Sequence, residues 1–146
     1  MLIPITLKNT SDLAISWFGL LEEHQIREVK LEAKANQNWK CRLVISKAMQ
    51  KLLGLPKKVS ETVFYGEKKE YDVEMAEALE LQIGNRRTTI CPLVMSNLEI
   101  PVIGSVLLGE LSLKIDSTQQ NLIFLDRNLR IWFIEIGIIY AQKIII

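Results

Sequence analysis

Side chains able to do chemistry are few in this sequence, and their spacing assembles no reactive set. The single histidine, His24, lacks a partner set for zinc, and Cys41 and Cys91 lack metal-ligand spacing. Cys41 lies between Lys40 and Arg42, whose charges would lower a thiol's pKa, but nothing places His24 beside it as a base. Cys91, followed by Pro92, reads as a core residue. Gly104-Ser105 followed by Gly109 has neither the lysine nor the strand-turn-helix setting of a phosphate loop. The aspartates Asp12, Asp72, Asp116 and Asp126 each read as solvated turn or strand-end carboxylates. Glu28 and Glu32 fall on the wet face of a strand. No metal or cofactor is implied.

Those residues sit in a chain of 146 residues, enough for one domain with a real core. Lys and Arg (18) nearly balance Asp and Glu (17), and no basic run interleaves with aromatics, so nucleic acid is not an expected partner. The two isolated cysteines read as buried, reduced thiols of a cytoplasmic protein, with a disulfide as the alternative. Met1-Leu2-Ile3-Pro4 has no basic region before an apolar core, so no secretory signal is expected. Ile131–Ile146 is apolar but is interrupted by Glu135, Gln142 and Lys143 and is too short for a span. Its β-branched and aromatic residues suit a core or interface strand rather than a membrane anchor.

The elements that must position these residues are mostly strands. Leu2–Leu7 alternates loosely, Asn9–Asp12 is turn-like, and Leu13–Leu21 is apolar. From Glu28 to Ala35 the alternation has period two, a strand with one wet face. Asn36-Gln37-Asn38 signals a turn, and Leu43-Val44-Ile45 a buried strand. Ser46 is placed to cap a helix over Lys47–Leu53 that Gly54 and Pro56 end. Val59–Phe64 and Lys69–Ala76 form a hairpin around Tyr65-Gly66-Glu67-Lys68. Ala78–Ile83 and Thr88–Met95 form a second across Gly84-Asn85, with Pro92 at an edge or bulge. Val102-Ile103, a helix over Ser105–Leu111, Ser112–Ile115 and Leu122–Phe124 complete the order.

That order, over Glu28–Phe124, resembles the retropepsin-like aspartic protease family. The matching pieces are Leu43-Val44-Ile45, a helix ending Leu53-Gly54-Leu55, a flap hairpin with Gly66 at its tip, and a strand pair over Gly84-Asn85. Val102-Ile103-Gly104 and then Leu113-Lys114-Ile115-Asp116 follow. The resemblance implies a mostly β, closed or partly closed barrel with two short helices. It also implies a catalytic carboxylate from each half of a symmetric homodimer, one protonated while the other activates water. Here the sequence departs from the family. Its Asp-Thr/Ser-Gly triplet is absent, and the spacing to Leu43 puts Gln37, Asn38 and Trp39 in those three places. An amide cannot act as general acid or base. An indole cannot occupy the space that the family glycine leaves at the dimer seam.

The expectations are therefore a retropepsin-like domain over 28–124, an N-terminal extension over 1–27 that packs on it, and an apolar tail over 125–146. The expected core contains Val44, Ile45, Leu52, Leu81, Ile83, Val94, Ile103, Leu107 and Leu111. The resemblance implies no catalytic residue in this chain, flap or groove positions at Tyr65 and Gly66, and a fold motif at Val102, Ile103 and Gly104. The leading functional expectation is a catalytically degenerate domain that binds an extended peptide or a partner. The alternatives are an active homodimeric aspartic endopeptidase and a structural or assembly domain. A groove under the Gly66 hairpin distinguishes the first two from the third. Self-association is expected, through the tail.

Overall fold

The computed structural model describes residues 1–116, 118–119 and 121–125. The apolar tail expected to supply an interface strand, together with Asp126, lies outside the described residues.

Eleven strands and three short helices occur among the described residues. They are β1 (Leu2–Asn9), α1 (Thr10–Trp17), β2 (Glu28–Asn36), β3 (Leu43–Ser46), α2 (Lys47–Leu52), β4 (Lys57–Gly66) and β5 (Lys69–Ala76). Then follow β6 (Leu79–Ile83), β7 (Arg86–Ile90), β8 (Leu93–Met95), β9 (Val102–Gly104), α3 (Ser105–Glu110), β10 (Leu113–Asp116) and β11 (Asn121–Phe124). The fold is thus mostly β, with one helix more than the two expected.

Nine strands form one sheet in the order β4-β5-β8-β3-β9-β2-β1-β6-β7, and β10 and β11 pair separately. Only β2–β9 and β3–β8 are parallel; the other pairs are antiparallel. The connections show why this sheet cannot be flat. β7 and β8 are six places apart, about 29 Å at ordinary strand spacing. Yet Cys91-Pro92 alone joins them, and Ile90 to Leu93 can span only about 11 Å. The sheet therefore curls into a half-barrel. Thr88–Met95 is not one strand bulged at Pro92, as expected, but two strands on different parts of the curl.

The core fills the concave side. Ile3, Ile5 and Leu7 of β1 alternate inward and meet Leu43, Ile45, Leu79, Leu81, Ile83 and Ile103, with Leu107 and Leu111 from the α3 segment closing one end. Leu52 corrects the expected core. It is 65% exposed, and its neighbour Leu53 is fully buried. α2 turns Met49 and Leu53, four residues apart, toward the core, which leaves Leu52 on the outer side. Ser46 caps this helix as expected, accepting a bond from the Met49 N–H at 3.1 Å.

α1 begins where a turn was expected. Asn9 caps it by accepting from the Asp12 N–H at 2.9 Å, while its Nδ2 donates to the Leu53 carbonyl at 2.7 Å. Asp12 is the second correction, because it is buried rather than solvated. Both of its oxygens accept bonds from the Arg27 guanidinium, at 2.8 and 2.9 Å, and Oδ2 also accepts from the Arg27 N–H. This fork joins α1 to the start of β2.

The Asp12–Arg27 pair gives the fold a pH dependence of definite sign. Bonding to Arg27 holds the Asp12 carboxyl below its ordinary value of 3.8, although burial opposes this. A depressed folded pKa means that the stabilisation is fully present above the unfolded value. It is lost as pH falls below about 4 and through the folded pKa. Thermal unfolding of the wild type between about pH 2.5 and 7 is expected to show that acid loss. Asp12→Asn lowers the melting temperature at neutral pH and flattens the acid limb; an unchanged slope would remove Asp12 as its source.

Candidate functional site

The residues that the sequence singled out converge on one place, the loop between β2 and β3. Asn36 begins it by accepting the Asn38 N–H on Oδ1 at 3.0 Å, a side-chain turn that leaves Gln37 and Asn38 exposed. The Trp39 N–H then donates to the Asn36 carbonyl at 3.2 Å, which brings the indole back toward the sheet.

Gly104 fixes the other side of this loop. Its N–H donates to the Arg42 carbonyl (2.9 Å), the Ser105 N–H donates to the Trp39 carbonyl (2.9 Å), and the Val106 N–H donates to the Cys41 carbonyl (3.2 Å). A side chain at position 104 would strike the Cys41 carbonyl and lie 2.7 Å from the Trp39 carbonyl, so glycine is required by the close backbone approach. Val102, Ile103 and Gly104 are all buried. Arg42 adds an ion pair to Glu110 of α3 at 2.8 Å.

The β4–β5 hairpin closes over the loop. The Lys40 N–H donates to the Tyr65 carbonyl at 2.9 Å. Under the hairpin lie three rings. Trp39 is 5.0 Å from Phe64 and 5.3 Å from Tyr71, and Phe64 stacks on Tyr71 at 5.0 Å with 12° between planes. Lys69 lies over the Tyr71 ring at 5.0 Å. Gly66 is buried and rests directly on this cluster. A Cβ there would lie 2.7 Å from Tyr71 and 2.9 Å from the indole nitrogen of Trp39. Tyr65 points outward and is exposed. The space between hairpin and loop is thus packed with aromatic side chains.

Residues 36–42 contain no carboxylate. Desolvation pushes the Cys41 thiol up to about 11, so the neighbouring Lys40 and Arg42 do not activate it. His24 lies exposed in the 3-10 turn Glu23–Gln25, and Cys91 is only partly buried. Among the described residues no group of His, Cys, Asp or Glu could hold a metal ion. Nor is any helix among them long and apolar enough to cross a membrane.

Two concavities lie around this loop, and one of about 600 Å³ opens between Asn38 and the hairpin turn at Glu67, Lys68 and Lys69, against Tyr71. The other, of about 620 Å³, runs along the outer end of the sheet, lined by Glu61, Thr62 and Val63 of β4, Asp72 of β5, Lys47 and Met95. Its wall includes an ion-pair set in which Lys47 (3.2 Å) and Lys57 (3.4 Å) meet Glu74. Sequence reasoning missed this cavity. Its only signal was a stretch, Lys57–Thr62, polar except for Val59, on a strand that alternation marks weakly.

No protein-family model matches the chain, and no curated protein is a significant relative.

The aromatic cluster yields a measurable expectation. Complete burial makes Trp→Ala cost about 3–5 kcal/mol, and the partly exposed Trp39 falls below that, at about 2–3 kcal/mol. Urea unfolding of Trp39→Ala measures this loss. Amide exchange at Lys40 should accelerate with it, because the hairpin loses the ring it rests on. Unchanged exchange at Lys40 would mean that Trp39 does not hold the hairpin shut.

Proposed function

We propose that this chain is a catalytically degenerate retropepsin-like domain that binds an extended segment of a partner at its β4 edge. The observation that carries the reading is the β4 edge, whose Val63 faces outward beside the cavity of about 620 Å³. The closed hairpin fills the groove expected under Gly66 and so favours a structural or assembly domain over a peptide held there. Gly66, Phe64 and Tyr71 pack on Trp39, and no carboxylate lies in the loop beneath them. The order of elements supports the family assignment: a parallel β2–β9 pair, the loop over Gly104, and α3 directly after it.

With the space below the hairpin filled, an extended segment has the outer edge left to it. Among the described residues β4 ends the sheet, paired with β5 on one side and touched on the other only by the Lys40–Tyr65 bridge. The hairpin turns through Glu67-Lys68, with Gly66 opposite Lys69. In a two-residue hairpin the closing pair is hydrogen-bonded and the bonding alternates from there. Phe64 and Thr62 then bond to β5, while Val63 and Tyr65 direct their backbone groups outward. The bond that Tyr65 accepts from Lys40 agrees with that alternation. Val63 is therefore the free rung on which an added strand would build, and the cavity beside Glu61–Val63 would take its side chains.

The test pairs binding with cleavage. Twelve-residue peptides selected from a displayed library are titrated into labelled protein, and the expected amide shifts centre on Val63. Val63→Pro removes the outward N–H without touching the β4–β5 ladder. It should weaken binding by about 2- to 13-fold, the net value of one backbone hydrogen bond. Shifts centred on Trp39 would overturn the edge reading, and absence of any binder would leave a structural or assembly domain. Peptide cleavage with a pepstatin-sensitive optimum between about pH 3 and 7 would establish the endopeptidase alternative instead.

A further inference from the structure

α1 presents to solvent what a surface helix ordinarily turns inward. From Leu13 to Leu21 nine consecutive residues carry no charge, and none of them is buried. Trp17, Phe18 and Leu20 are 86, 76 and 79% exposed, with Ile15 exposed beside them. The residue that α1 buries is Asp12. The helix is thus fastened by its polar first turn, while its apolar end stands clear of the domain.

That end is held rigidly. The Gly19 N–H donates to the Ser16 carbonyl at 2.9 Å and the Leu20 N–H to the Ile15 carbonyl at 3.2 Å. These are the two bonds of a Schellman cap, and Gly19 supplies the left-handed residue that the cap needs, at φ 76°. A face already ordered loses little conformational freedom on association.

We propose that this apolar knuckle is the contact between two copies of the chain. An uncharged face can meet its own image about a two-fold axis without opposing like charges. The net charge of +1 adds no long-range repulsion. Area points the same way. The exposed Trp, Phe, Leu and Ile side chains amount to roughly 500 Å² per copy, so a symmetric pair buries about 1,000 Å², the threshold of a specific interface. A bilayer is the poorer match, because the knuckle carries no lysine or arginine and is followed by the exposed acids Glu22 and Glu23. α1 packs on β1, and the contact does not depend on peptide binding at β4.

Sedimentation of the full chain from about 1 to 100 μM tests the proposal. The wild type is expected to show a monomer–dimer equilibrium. Trp17→Ser with Phe18→Ser is expected to raise the dissociation constant at least about 30-fold, as loss of a central aromatic anchor does. These side chains contribute little to the core, so circular dichroism and melting temperature should be retained. Leu20→Glu, which sets two like charges against each other, is a second variant expected to give monomers. Three results would overturn the proposal. They are a wild type that stays monomeric at about 100 μM, a dimer that both variants leave intact, and a monomer that these residues instead tether to phosphatidylcholine vesicles.

Discussion

The approach of Gly104 to the Trp39–Arg42 backbone is the constraint on which the rest of the structure depends. β9 lies between β2 and β3, parallel to one and antiparallel to the other. The chain that links β2 to β3 must therefore cross the end of β9. It can do so only if the residue there has no side chain. Three backbone bonds, donated by Gly104, Ser105 and Val106, then hold the loop from Trp39 to Arg42. Once held, the loop has no freedom to choose what it presents. Residue 39 is aimed beneath the β4–β5 hairpin, and its chemistry decides whether that space is open or filled.

Here it is filled, and magnitudes indicate how firmly. Aromatic pairs contribute about 0.5–1.5 kcal/mol each beyond area burial, and two such pairs, Trp39 with Phe64 and with Tyr71, join the loop to the hairpin. The Lys40–Tyr65 bond adds about 1 kcal/mol. Half of that total, about 1–2 kcal/mol, favours the closed hairpin by about 5- to 30-fold. A ligand entering beneath it would have to supply that energy from its own contacts before gaining any affinity. A strand added at β4 disturbs none of these contacts, which is why the edge is the better site for a segment binder.

Local periodicity made much of this architecture legible. The alternation from Glu28 to Ala35, the capped helix after Ser46 and the hairpin over Gly84-Asn85 each follow from neighbours in sequence, and each is present. What escaped depends on partners far along the chain. Asp12 reads as a solvated turn carboxylate until Arg27, fifteen residues later, folds back to it. α1 has no apolar stripe to betray it, since Leu13–Leu21 is apolar all round. At the candidate site the residue types excluded acid–base chemistry at Gln37. They could not reveal that the indole two residues on would meet Phe64 and Tyr71, because those contacts exist only after the hairpin has closed. The split at Cys91-Pro92 likewise follows from the curl and not from the proline alone.

The two ends of the sheet are treated differently, and the difference bears on function. At the β7 end the Arg86 guanidinium donates to the carbonyls of Leu111, Ser112 and Leu125, and Phe124 lies against Gly84. The β10–β11 hairpin is thereby tied to the turn that begins β7. At the β4 end nothing comparable occurs among the described residues. Exposed strand edges invite indiscriminate pairing unless charge or irregularity blunts them. β4 has both over its first half, with Lys57 and Lys58 and register shifts between Lys57 and Thr62. Beyond Thr62 the strand runs regularly, and Lys40 occupies only the outward carbonyl of Tyr65. An edge defended along half its length and open for a few residues limits pairing to a short segment in one register. Such an edge is less open to indiscriminate pairing than a long regular one.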